Sequence, residues 1–175
     1  MRKTVLTFGI ISGIIIEILG LTTWFLMVEK NGELDLSQGY LFGYLTMIVA
    51  LSMIFFGIRQ YRDRYQEGII SFGKAFKVGF LIALIASIIY VIGWMILYNT
   101  NEVAHNFYAQ YLEHMKTQWA ASGMTPEQIN AKAEGFAKNM ELYKNPVIMA
   151  GMTLMEILPV GLIITLISAF ILKKK

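Results

Sequence analysis

The chain has no cysteine, so disulfides, thiol nucleophiles and cysteine-based metal sites are excluded. Its only histidines are His105 and His114. They stand beside Glu102 and Glu113, but their separation is not a usual helical metal-ligand spacing, so both read as ordinary surface positions. Proline is limited to Pro126, Pro146 and Pro159. No Asn-x-Ser/Thr sequon occurs. There is no Gly-x-Ser-x-Gly elbow, no GxxxxGK[ST] loop, no GxGxxG and no HExxH, so the common hydrolase, nucleotide and zinc-protease signatures are missing. No cofactor is expected, and the chain does not read as an enzyme.

Charge is scarce inside four long runs, and that scarcity defines the class. The 175 residues are 56% hydrophobic, above the roughly 45–50% of soluble domains. The mean hydropathy of +0.55 comes from blocks long enough to cross a bilayer. The expected fold is all-α: a single polytopic membrane domain over 1–175 with four transmembrane helices. The expected spans are 5–28, 39–58, 78–98 and 147–172. The first run is too long for a signal peptide and lacks a clean cleavage site. Trp24, Tyr40, Tyr44, Trp94 and Tyr98 near the span ends suit interfacial anchors.

Positive charge fixes the expected orientation. Arg59, Arg62, Arg64, Lys74 and Lys77 crowd the loop 59–77, Arg2 and Lys3 open the chain, and Lys173, Lys174 and Lys175 close it. Lys/Arg concentrates on the cytoplasmic side, so both termini are expected inside. These residues would meet lipid head groups, and no nucleic acid is expected as a partner. Glu29, Glu33 and Asp35 make the first turn acidic and place it outside. Ile69, Ile70, Phe72, Phe76 and Phe80 allow two readings, an interfacial segment or the start of the third helix.

The stretch 99–145 is the one sizeable polar region, and it predicts an extracytoplasmic helical hairpin. Val103, Phe107, Tyr111, Met115 and Trp119 recur every four residues. Ser122-Gly123 breaks the pattern. Thr125-Pro126-Glu127-Gln128 then reads as a capping box with first-turn proline, and Ile129, Ala133, Phe136, Met140 and Tyr143 form the next stripe. The simplest packing sets the stripes against each other or against the membrane surface. Phe107, Tyr111, Trp119, Phe136 and Tyr143 are alternatively a candidate partner surface.

Within the spans, small residues form stripes: Gly9, Gly13 and Gly20; Gly39, Gly43, Thr46, Ala50 and Gly57; Gly79, Ala83, Ala86, Ser87 and Gly93. Such stripes let helices approach closely in lipid and predict a compact bundle. Glu17 and Glu156 are the only ionisable residues deep in the runs. Each is costly there if charged and unpaired, and nothing basic lies at their depth. They read either as protonated interhelical glue or as a proton- or cation-binding pair.

Gly68 to Gly79 (GIISFGKAFKVG), Gly123 to Ile129 (GMTPEQI) and Tyr143 to Pro146 (YKNP) resemble the bacterial domain-of-unknown-function family 4199, and the similarity runs over nearly the whole chain. The resemblance implies an integral protein of the bacterial inner membrane with this four-span layout. It brings no activity, ligand or catalytic residue. The leading functional expectation is a non-enzymatic scaffold or accessory subunit, with a membrane-protein partner or a homo-oligomer. The alternative is a proton- or cation-linked transport component using Glu17 and Glu156.

Overall fold

A computed structural model describes residues 1–28 and 39–174, with only the backbone of Tyr40. The acidic turn expected over 29–38, the anchor expected at Tyr40 and the terminal Lys175 lie outside the described residues. The fold is all-α. In order, the helices are α1 (Arg2–Met27), α2 (Gly39–Leu51), α3 (Met53–Tyr65), α4 (Phe72–Thr100), α5 (Glu102–His105), α6 (Phe107–Ala121), α7 (Pro126–Tyr143) and α8 (Pro146–Leu172).

Four segments are long and apolar enough to cross a bilayer: α1, the combined α2–α3 segment from Leu41 to Tyr65, α4 and α8. The protein is a multi-pass membrane protein. α4 packs along both α1 and α8, while α3 packs against α1, α4 and α8. The N-terminus, the 66–71 turn and the C-terminal lysines gather at one end, and α5–α7 occupy the other. At the first end the Lys174 N–H donates to the Ile70 carbonyl (3.0 Å), tying the chain terminus to the turn.

Close helix approach is confined largely to the half of the bundle nearest that turn. Gly9 and Gly13 of α1 lie against Ile85 and Ile89 of α4. Gly57 receives Ile82 and Phe8, Gly79 receives Ile54, Ile58 and Thr165, and Gly161 faces Ala83. Ile54, Ile58, Val78, Ile82, Ala83 and Ala86 are fully buried. Lipid tails are as apolar as these side chains, so dispersion contacts rather than exclusion from water hold them together.

The second span is jointed at Ser52. Its hydroxyl donates to the Val49 carbonyl (2.7 Å), and its backbone N–H reaches both Ile48 (3.0 Å) and Val49 (3.3 Å). Serine back-bonding of this kind bends helices. One residue pair from the joint, the Ser12 hydroxyl of α1 donates to the Ala50 carbonyl (2.7 Å). Beyond this point α2 stays with α1 and α8, without close packing against α4 comparable to that of α3.

Several expectations need correction. Most of 59–77 is helix rather than loop, because α3 continues to Tyr65 and α4 starts at Phe72. The Ser71 hydroxyl caps α4 by accepting from the Lys74 N–H (3.4 Å). Phe72, Phe76 and Phe80 stack in series along that helix, and Ile70 is buried in the core, so the stretch is a helix start and not a separate interfacial segment. Arg62 is not simply a lipid-facing charge. Its guanidinium pairs with Asp63 (2.7 Å) and reaches the Leu172 carbonyl (3.5 Å). Lys74 binds the Gln66 amide oxygen (2.6 Å), and Lys173 lies over the Phe170 ring (4.1 Å). Arg59, Arg64, Lys77 and Lys174 remain exposed at the same end.

In the hairpin, the first stripe is divided between α5 and α6 at Asn106. Asn101 caps α5 by accepting from the Ala104 N–H (2.9 Å). The capping box of α7 is complete: the Gln128 N–H donates to the Thr125 hydroxyl (3.4 Å), and the Thr125 N–H donates to the Gln128 side chain (3.0 Å). Gly123 takes φ of +84°, a left-handed turn that closes the hairpin without side-chain strain. Asn145 starts α8 by accepting from the Val147 N–H (2.9 Å).

Candidate functional site

The half of the bundle nearest the hairpin holds a cavity of about 330 Å³. It exists because small residues there meet nothing. A Cβ built on Gly20 or Gly43 would find no atom of the described residues within 4 Å, so among these residues the two do not mediate the close packing expected of them. They line the cavity instead.

Glu17 and Glu156 both face this one space. Glu17 sits on α1 with Gly20 and Trp24 at i+3 and i+7, which places the three on one helix face. Its carboxyl group rests against the backbone of Gly93 on α4. One carboxyl oxygen, Oε1, is buried and has no hydrogen-bond partner among the described residues. Glu156 comes from α8, with Thr153 one turn nearer the hairpin. Among the described residues no Lys, Arg or His lines the cavity. The other titratable groups facing it among the described residues are the phenols of Tyr44, Tyr90, Tyr108, Tyr111 and Tyr143. The two carboxyl groups thus reach the same space from α1 and α8.

Aromatic rings close the hairpin end. Trp24, Trp94 and Phe107 form a mutual cluster with centroids 5.7–6.0 Å apart. Such edge and tilted contacts add stability beyond the area they bury. Tyr143 is the fixed point beside them. Its hydroxyl accepts from the Trp94 indole N–H (2.6 Å) and lies 3.3 Å from the Thr153 hydroxyl. The Thr153 hydroxyl donates to the Met149 carbonyl one turn earlier (2.9 Å). Tyr108 packs edge-on against Tyr143 at 4.4 Å. Burial, helped by a hydrogen bond with Tyr143, holds the Tyr108 hydroxyl above the usual phenol range. Burial raises that of Tyr111 as well. Both phenols thus remain protonated at neutral pH and can donate hydrogen bonds.

Phe107, Tyr111 and Tyr143 of the expected partner surface consequently turn inward and line the cavity. Tyr111 also packs on Phe136 (5.7 Å), joining α6 to α7. Trp119 lies farther along the hairpin under the Lys132 ammonium (5.3 Å). Trp24 is buried in the cluster and is not an interfacial anchor, and its indole N–H has no partner among the described residues. His105 stacks near Tyr98 (4.8 Å), whereas His114 contacts Gln118 (3.0 Å). Among the described residues no group of three His, Cys, Asp or Glu is placed to hold a metal ion.

The loop-and-hairpin motifs now stand in one four-span bundle, and a family model for a protein of unknown function, DUF4199, matches residues 7–174. The chain belongs to the DUF4199 family. Comparison of this DUF4199 protein with curated proteins and with solved structures finds no match.

Tyr90, Gly93, Trp94 and Tyr108 are site residues that the sequence did not single out as such. A signal for two of them was present, since Tyr90, Gly93 and Leu97 recur at i, i+3 and i+7 on α4, mixing aromatic and small residues on one face. That mixture differs from the uniformly small face of Gly79, Ala83 and Ala86, which does pack closely. Tyr108 had no comparable signal, because its role depends on how the hairpin folds back.

Proposed function

We propose that this DUF4199 protein takes up a proton or cation at Glu17 and Glu156 and works as a cation-linked transport component. The observation that carries this reading is that both carboxyl groups wall one cavity, with no Lys, Arg or His among its described lining residues. A charge held in a low-dielectric span is stabilised by whatever positive charge enters beside it. Binding and passage, rather than bond chemistry, are what such a pair supplies. The Lys/Arg distribution supports placing both termini and the 66–71 turn in the cytoplasm and the hairpin outside, in a bacterial inner membrane. Reporter fusions at the C-terminus and in the hairpin test that orientation.

The accessory-subunit reading draws less support. Phe107, Tyr111 and Tyr143 line the cavity and Tyr143 is buried, while Phe107, Tyr111, Trp119 and Phe136 are each partly exposed. A second copy of the chain remains the partner best suited to complete a pathway across the other half of the bundle, where the helices are closely packed.

The test is proton, sodium and potassium flux in liposomes carrying the full chain, compared with Glu17→Gln and Glu156→Gln. The expected result is flux in the wild type that both variants lose. Identical flux in all three would sink the reading.

A further inference from the structure

We propose that the cavity's ligand is an apolar organic cation: one ammonium-type charge on an aromatic or aliphatic body. This rests on the reading that Glu17 and Glu156 accept positive charge, and it names the kind of charge carrier.

The lining discriminates between a bare ion and an organic one. Hard divalent cations take about six to eight oxygen ligands in a tight shell. Among the described residues the polar side chains of the lining are two carboxyl groups, phenols, the indoles of Trp24 and Trp94 and the hydroxyls of Thr23, Thr46 and Thr153. Thr23 and Thr153 already donate within their own helices. The remaining wall is apolar and rich in aromatic rings. At about 330 Å³ the space exceeds what a bare ion needs and falls within the range of small-molecule pockets, about 300–1,000 Å³. Indole and phenol faces attract desolvated ammonium groups, and an aromatic cage is the usual means of recognising a quaternary one.

The layout also matches an amphipathic cation. Trp24 lies seven residues beyond Glu17 on α1, about 10 Å along the axis at 1.5 Å per residue. Negative charge therefore lies deep in the cavity, and the ring cluster lies toward the hairpin. The unpartnered Oε1 of Glu17 is buried at that deep level. Leu21, Tyr44 and Met152 line the cavity yet stay exposed on the flank of the bundle. The cavity lining thus continues onto the lipid-facing flank, where an apolar cation would concentrate.

The test uses purified full-length protein in detergent, titrated with benzyltrimethylammonium and followed by calorimetry. Neopentylbenzene, the uncharged molecule of the same shape, is the competitor. The expected result is saturable binding that the neutral molecule does not displace. Glu17→Gln and Glu156→Gln should each weaken it about tenfold or more, as expected for loss of a desolvated charge partner. Glu17→Asp should retain binding that Glu17→Gln loses, which a purely structural role would not produce. Trp119→Ala, outside the cavity, should bind as the wild type does. No saturable binding by the folded protein, equal displacement by neopentylbenzene, or unchanged affinity in both Gln variants would each overturn the proposal. If carboxylate-dependent proton or metal-ion flux persists in liposomes without organic-cation binding, this inference falls and the proposed function stands. If that flux is missing as well, both fall.

Discussion

The carboxyl group of Glu17 lies directly against the backbone of Gly93, leaving no room for a side chain at that position. Neither residue explains the other alone. Glycine at 93 admits the carboxyl group to the interface between α1 and α4, where both residues line the cavity.

Gly93→Ala should therefore mimic loss of Glu17. Its methyl group would overlap the carboxyl oxygens and push them out of place. Flux in liposomes is expected to fall toward the Glu17→Gln level, with helicity retained. Gly20→Ala, whose methyl would project into open space, should leave the fold intact. Equal damage from both substitutions would show that the Glu17–Gly93 contact has no special role.

Gly13→Ala tests the other kind of glycine. Its Cβ would strike the side chain of Ile89 in the closely packed half. Overpacking there should cost about 1–3 kcal/mol. Thermal unfolding in detergent is expected to show it, and Gly13→Ala with Ile89→Val should recover part of the loss.

Tyr143→Phe should loosen the hairpin's hold on the bundle. The substitution keeps the ring but removes the hydroxyl that accepts from Trp94 and meets Thr153. Losing this bond to the half-buried Trp94 N–H should cost about 1 kcal/mol. Hydrogen exchange over α6 and α7 should accelerate, while the turn half of the bundle keeps its protection.

Thr125→Ala should fray the start of α7 by about 1 kcal/mol, the usual value of an N-cap. The same terminus carries a pH signature. Backbone and Thr125 hydrogen bonds hold the Glu127 carboxyl below the usual range. Because that value is depressed in the folded state, the stabilisation is present above the unfolded value and is lost as pH falls through the folded one. Amide protection factors at residues 127–129, taken relative to the intrinsic exchange rate at each pH, should fall on acidification, and the effect should shrink in Glu127→Gln. Neither change should reach the cavity, because this terminus lies at the far end of the hairpin.

The number of spans, the caps at Thr125 and Asn145 and the end at which positive charge collects were legible in the sequence, although the second and third spans extend into the expected loop 59–77. Each follows from local composition: run length against bilayer thickness, Thr125 and Asn145 before first-turn prolines, and arginines and lysines that cannot lie in hydrocarbon. It also marked Glu17 and Glu156, since a carboxylate within an apolar run stands out wherever the helices lie. Only the tertiary structure decided what the small residues do. Gly13 and Gly20 belong to the same stripe, yet one receives Ile89 and the other borders empty space. The difference depends on which residues of the neighbouring helices lie opposite each glycine. Likewise Phe107, Tyr111 and Tyr143 could have faced a partner or the bundle, because helical spacing fixes a face and not what lies against it. Their inward turn depends on contacts between residues distant in the chain, such as Trp94 with Tyr143, which no local pattern encodes.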